Sequence, residues 1–267
     1  MLILPPEKKS KIGSKEPENR QNLGCARGLI ALSILGVTGR MGQKTLSLAH
    51  KDPLFHVVSG VCRSPSVHSL GALIQDASLT APLLSDVSAA LQLCDVAIDF
   101  SLCAATRSHL EAACKWGTPL VIGTTGHCPE DLQAIQEASR LIPILFAPNF
   151  SRGAALCIEA VARFSQALFP EVAICIKETH HIHKKDAPSK TALALAAATG
   201  KEGGVQIEST RSGEVIGEHT VIFECKEERI EIKHTAHSRD LFAAGALLSA
   251  KFLVAQPPGL YSLKDML

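Results

Sequence analysis

Leu29-Ile30-Ala31-Leu32-Ser33-Ile34-Leu35-Gly36-Val37-Thr38-Gly39-Arg40-Met41-Gly42 is the stretch that decides the fold. A short apolar run stops at a glycine, and a helix-like stretch follows to His50. That order reads as strand, glycine turn, helix. At such a turn a dinucleotide pyrophosphate would meet free backbone N–H groups and the positive end of a helix. Gly36 suits the tight turn, Gly39 the close approach of a ligand, and Gly42 close packing of the helix. Glycines alone are a weak signal, because any sharp strand-to-helix turn favours them. Their position at the first turn of an alternating α/β region makes them a cofactor signature, so residues Gly36, Val37, Thr38, Gly39, Arg40 and Met41 are expected to bind it.

The alternation continues outward. Strands are expected over 55–62, 94–100, 119–123 and 142–147, with helices over 104–116 and 129–140, which implies a parallel sheet covered on both faces. Beyond Phe150 the rhythm changes to a long apolar helix over 154–168, a strand over 172–177, a histidine-rich segment and a helix from about Thr191. Three strand-like runs without intervening helices, 205–209, 219–225 and 229–234, suggest an antiparallel or mixed sheet. A last helix over 241–255 could pack on either part, and its periodicity does not choose.

In folds of the first kind an acidic residue at the end of the second strand grips the ribose hydroxyls of NAD. Here that end reads Val61-Cys62-Arg63-Ser64, so Arg63 with Ser64 is suited instead to a 2′-phosphate, and NADPH is favoured over NADH. Two further loops fall at strand ends, where open α/β sheets bind ligands: Gly123-Thr124-Thr125-Gly126 and Ala147-Pro148-Asn149-Phe150-Ser151. Their glycine and hydroxyl residues would let a nicotinamide ring approach the backbone.

Composition narrows the partners. The formal net charge of +1, with both signs interspersed, offers no basic face for nucleic acid, and no apolar run reaches the roughly 18 residues of a membrane span. Nine cysteines, an odd number without any Cys-x-x-Cys pair, fit reduced thiols in a cytoplasmic protein better than a disulfide framework. The first 28 residues are polar, lack the apolar centre of a secretory signal, and are expected to form a disordered extension or a partner-binding arm.

The most unusual stretch is Glu178-Thr179-His180-His181-Ile182-His183-Lys184-Lys185-Asp186-Ala187-Pro188-Ser189-Lys190-Thr191-Ala192. Histidines that titrate near neutrality beside proton-donating lysines suit acid–base work and attraction of an anion. Their spacing lacks the His-x-x-x-His or cysteine partners of common metal sites, so no metal is expected. Ser189 reads as a helix N-cap, and the same helix start offers N–H groups to a carboxylate.

These residues together resemble one family, the 4-hydroxy-tetrahydrodipicolinate reductases. The histidine string, the Gly-x-x-Gly-Arg-Met-Gly turn, Gly-Thr-Thr-Gly, Pro-Asn-Phe-Ser, Gly217-Glu218-His219-Thr220 and Ser238-Arg239 occur in the family's order, over about residues 29–267. The resemblance implies an α/β chain: a Rossmann-like nucleotide-binding part at 29–150, rejoined by 240–267, and a mixed-sheet α+β substrate and oligomerisation part at 151–239. It implies that His180 is the acid/base residue, that Lys184 donates a proton, and that His181, Lys190 and Thr191 bind a carboxylate of a small cyclic dicarboxylate. Gly123, Thr124, Thr125, Ala147, Pro148, Asn149 and Phe150 would hold NADPH or NADH, and the protein would be a homotetramer of lysine and diaminopimelate biosynthesis. The alternatives are a non-catalytic NADP(H) sensor and another small-substrate reductase of related fold. Lys190 stands where the family carries glycine, Arg152 replaces a small apolar residue, and the connection from the Thr191 helix to Glu218 is short.

Overall fold

The computed structural model describes residues 28–64, 69–168, 172–201 and 205–267. The extension expected at 1–28 lies, apart from Gly28, outside the described residues. The first strand and helix are β1 (Ile30–Leu35) and α1 (Arg40–Lys51), followed by β2 (Phe55–Val61), α2 (Leu70–Ile74), β3 (Leu83–Leu84), α3 (Val87–Gln92) and β4 (Val96–Asp99). Then come α4 (Thr106–Trp116), β5 (Leu120–Ile122), α5 (Pro129–Ala138), β6 (Pro143–Phe146), α6 (Arg152–Leu168), β7 (Ala173–His180) and α7 (Lys190–Ala198). The chain ends with β8 (Gln206–Arg211), β9 (Gly217–Glu224), β10 (Arg229–Ala236), α8 (Asp240–Leu253) and β11 (Gly259–Tyr261).

Seven strands form one parallel sheet in the order β11-β6-β5-β4-β1-β2-β3. Alternation in β1 explains why both of its faces are covered: Leu32 and Ile34 join Leu46, Val57 and Ala250 on one side, while Leu35 packs with Leu110, Leu120 and Ile135 on the other. Ser33 tolerates full burial because its hydroxyl meets Ser59 Oγ at 2.7 Å and donates to Ala90 O at 3.1 Å. The last helix, which periodicity left unassigned, packs on α1 and on the β4, β5 and β6 strands, and β11 extends the same sheet beside β6.

The second sheet has the order β10-β9-β7-β8 and is mixed: β7 runs parallel to β8 across the α7 crossover and antiparallel to β9. Only one face is apolar. Ile174 and Ile176 of β7, with Val221 and Phe223 of β9, bury against Val161 of α6 and Leu195 of α7. The other face carries ion pairs such as Lys177–Glu208 and Lys233–Glu218, both at 3.2 Å.

The expected elements form with ends displaced by a few residues, and four short ones, α2, β3, α3 and β11, were not foreseen. The displacement that bears on the site is in β7, expected to stop at residue 177. It continues to His180, because Glu178 and His180 face inward and find polar partners there.

Candidate active site

The strand order reverses between β1 and β4, and the loops after both strands meet at that point. Gly36 has φ +73°, and a Cβ there would stand 2.7 Å from the Ser101 backbone. Gly36 therefore serves both the turn and its close packing against the loop after β4. Gly42 packs the helix onto the turn as expected, since a Cβ would fall 2.3 Å from Gly36 O. Gly39 is the N-cap of α1 and has no side chain to cap it, which leaves the first N–H groups of the helix, those of Arg40 and Met41, open to an anion. Val37 is buried under the turn, Thr38 and Arg40 are exposed, and Met41 lines the cleft described below. The N–H groups of Gly36 and Val37 both donate to Val61 O, which brings the end of β2, and Arg63 two residues on, beside the turn. Arg63 is exposed and no carboxylate replaces it at that strand end.

A cleft of about 630 Å³ lies between the carboxyl ends of the large sheet and the small sheet. From the nucleotide side it is lined by Met41, Gly123, Thr125, Ala147, Pro148, Asn149 and Phe150, and from the other by His180, His181, Lys184, Lys190 and Thr191. Thr124 does not line it. Its hydroxyl lies 3.1 Å from His127 Nε2, an atom also 2.9 Å from Thr106 Oγ1. Gly123 has a reason other than ligand approach: a Cβ there would stand 2.3 Å from the Phe100 ring and 2.8 Å from that of Phe150, two rings packed edge to face at 5.7 Å.

Asn149 is one of the side chains that link the two sides. Asn149 Nδ2 donates to Thr191 Oγ1 at 3.0 Å, while its Oδ1 accepts from Ser151 N at 2.8 Å. Thus the loop after β6 and the start of α7 hold each other. Ser189 is the N-cap of α7, as the sequence suggests, its Oγ accepting from Ala192 N at 3.2 Å. Lys190 is the first helical residue, and its φ is not positive; Gln75 is the one non-glycine with positive φ among the described residues. Lysine therefore costs no backbone strain at this position. Arg152 opens α6, is exposed, and does not line the cleft.

His180 ends β7 with Nδ1 bonded to Glu178 Oε2. Burial lowers its pKa below the ordinary value; Glu178 pulls it up, and Lys184 and Arg211 add to the depression. Burial also opposes ionisation of Glu178, but hydrogen bonds from Ser209, His180 and Arg211 outweigh it and hold that carboxyl below its usual range. Lys184 Nζ is held by both oxygens of Asp186, at 2.8 and 2.9 Å. His181 has its pKa lowered by burial and by Arg239, and its Nδ1 is buried without a partner.

Three residues to which the sequence assigned no role stand behind this row. His219 packs edge-on to His180 at 5.1 Å and its Nε2 lies 3.0 Å from Ser189 Oγ. His234 places Nε2 3.0 Å from Ser151 Oγ, the hydroxyl that caps Ala154 N at the start of α6. Arg211 donates to Glu178 Oε1 at 3.0 Å and to the carbonyls of Lys184 and Asp186. Glu178, His180 and His219 bring possible metal ligands within 4.8 Å of one another. Both Glu178 oxygens are already engaged, by His180 on one side and by Arg211 and Ser189 N on the other.

Comparison with known proteins matches residues 30–150 to the family described as dihydrodipicolinate reductase, N-terminus, and residues 153–267 to its C-terminus. The chain belongs to the dihydrodipicolinate reductase family. Among its relatives, 4-hydroxy-tetrahydrodipicolinate reductase of Halorhodospira halophila is 35% identical over 89% of this chain and 98% of its own. The enzyme of that name from Xanthomonas campestris pv. campestris is 41% identical over 89% of this chain and 97% of its own. In fold the chain is similar to a dipicolinate-bound dihydrodipicolinate reductase from a Paenisporosarcina species, with a TM-score of 0.75 at 24% identity, covering 90% of this chain and 100% of that one. No helix of the described residues is long and apolar enough to cross a membrane.

Proposed function

We propose that this chain reduces 4-hydroxy-tetrahydrodipicolinate to tetrahydrodipicolinate in lysine and diaminopimelate biosynthesis, the ring gaining a hydride and a proton and its 4-hydroxyl leaving as water, with NADPH preferred to NADH. The observation that carries the reading is the single cleft that joins the open helix start at Arg40 and Met41 to His180, Lys184 and the start of α7. When bound, the reduced nicotinamide supplies the hydride. The pyrophosphate is held by the turn from Gly36 to Met41, and Arg63 meets the 2′-phosphate where a carboxylate would repel it. Thr125 and the Ala147 to Phe150 loop border the nicotinamide side of the cleft.

On the other side the substrate is a dianion, and cations outnumber anions in the lining: Lys190, Arg239 and Lys184, the last paired with Asp186, are among the residues there. One carboxylate sits at the start of α7, where backbone N–H groups and the helix dipole favour negative charge. Thr191 and Lys190 contribute there, with His181 beside them. His180 acts as acid/base through Nε2, and Lys184 gives a proton to the developing anion while Asp186 holds its ammonium ready. The exposed polar face of the small sheet is available for pairing with other copies, in keeping with a homotetramer, and light scattering of the purified protein measures that.

The test is oxidation of NADPH by purified protein with freshly generated 4-hydroxy-tetrahydrodipicolinate. Oxidation that depends on both protein and substrate is the expected result. Cofactor binding without turnover would leave a nucleotide-sensing protein in its place.

A further inference from the structure

We infer that Glu178 is the positioning residue of this site, with one carboxylate setting the tautomer of His180, the start of α7 and the loop that carries Lys184. The inference rests on the acid/base role proposed for His180. It starts from spacing: residues 178 and 180 lie two apart on β7 and face the same way. Glu178 is 1% exposed, so an ionised carboxylate there is tolerable only with every lone pair directed at a donor.

Those donors come from three places in the chain. Oε2 accepts from His180 Nδ1. Oε1 accepts from the backbone N–H of Ser189 at 3.3 Å, immediately before α7, and from Arg211 Nη1 at 3.0 Å, at the end of β8. Arg211 in turn donates through Nε to Lys184 O at 3.3 Å and through Nη2 to Asp186 O. The carboxylate thus touches the acid/base histidine directly, the carboxylate-binding helix start directly, and the lysine loop through one guanidinium.

The chemical consequence concerns the histidine proton. A carboxylate can only accept, so Nδ1 keeps its hydrogen and Nε2 becomes the atom that gains and loses one. Space is kept at that atom: a Cβ on Gly217 would stand 3.0 Å from Nε2, and glycine leaves it open. The charged groups facing the ring are Glu178 from β7, Lys184 from the following loop and Arg211 from β8, with His219 edge-on from β9. Glu178 is the one anion among them, so its neutralisation lowers the basicity of His180 and frees the ring to present the wrong nitrogen.

The first measurement uses the unmodified protein. Nitrogen-15 histidine spectra, with His180 assigned by its loss in His180→Gln, are expected to show the neutral ring protonated on Nδ1; protonation on Nε2 overturns the inference. The second uses Glu178→Gln, expected to lower kcat about 100-fold with cofactor Kd within about twofold, and to move the pH midpoint of kcat assigned to His180 downward. Glu178→Asp should recover part of the loss. A Glu178→Gln enzyme within about threefold of wild-type kcat would also overturn the inference. If the variant does not fold, the tautomer of the unmodified protein decides. Absence of turnover in the unmodified protein sinks the proposed reaction instead, and the spectra still test the role of Glu178.

Discussion

Acidification should destabilise this protein well before its carboxylates titrate, and His219 should carry a measurable share of the loss. The residue is 5% exposed, hydrogen-bonded to Ser189 Oγ at 3.0 Å, with Nδ1 buried and unpartnered. Burial pushes its pKa from 6.5 down to about 4, with His180, His234 and Lys184 adding to the fall and Glu178 opposing it. The folded pKa lies below the unfolded one, so between those values the unfolded chain binds more protons. The stabilisation is complete above the unfolded value and is lost as pH falls towards about 4. One such group contributes a loss of about 2 kcal/mol by about pH 5 and about 3 kcal/mol by about pH 4. His127, His180, His181 and His234 are also depressed chiefly by burial and act in the same direction, so the total slope is not specific to one ring. His219→Gln isolates it, because glutamine can still meet the Ser189 hydroxyl and does not titrate. Urea unfolding at several pH values should show the wild type losing about 2 kcal/mol more than the variant between about pH 7 and 5. Parallel curves for the two proteins over that range would refute the reasoning.

The other expected outcomes concern turnover and binding. His180→Ala and Lys184→Ala should each lower kcat by about two orders of magnitude or more with little change in cofactor affinity; near-normal turnover in either folded variant removes the role assigned to it. Arg63→Ala should lower kcat/KM for NADPH and leave NADH little affected, and a strong NADH preference untouched by the change would count against the 2′-phosphate contact. Lys190→Gly should raise the KM for substrate with kcat preserved, whereas a fall in KM would mean that the lysine obstructs the cleft.

The large sheet was legible because each of its central strands is a short apolar run with a helix or a glycine turn behind it. Between residues 63 and 93 the reading was blank for a physical reason: a two-residue strand and helices of five and six residues are too short to display any period. In the site, the residues adjacent in sequence were visible as a string. Those that organise them were not. Glu178 stood first in that string, one residue past the expected strand and with no role of its own, and its burial depends on Ser189, 11 residues away, and Arg211, 33 residues away. His219, part of a family-like run, and His234, an ordinary strand position, had no assigned role until the register paired Glu178 with His219 and His219 with His234 across three strands. Pairing register is a property of the folded sheet, and no local pattern announces it.

Lys190 shows how the same limit applies to a departure from a family pattern. From sequence, lysine in place of glycine raises two concerns, backbone strain and lost space. The first vanishes because residue 190 takes up the first helical position with an ordinary backbone, one that any L-residue adopts. The second depends on where the side chain goes, and Lys190 lines the cleft rather than filling the helix start, whose cap is completed below it by Ser189, His219 and Glu178. The Asn149 to Thr191 hydrogen bond keeps the next residue tied to the nucleotide side. The scaffold that presents the helix N–H groups is therefore independent of the side chain at 190. What lysine adds is an exposed cation lining a site already suited to a carboxylate, which is why its removal should change substrate affinity and leave the chemical step alone.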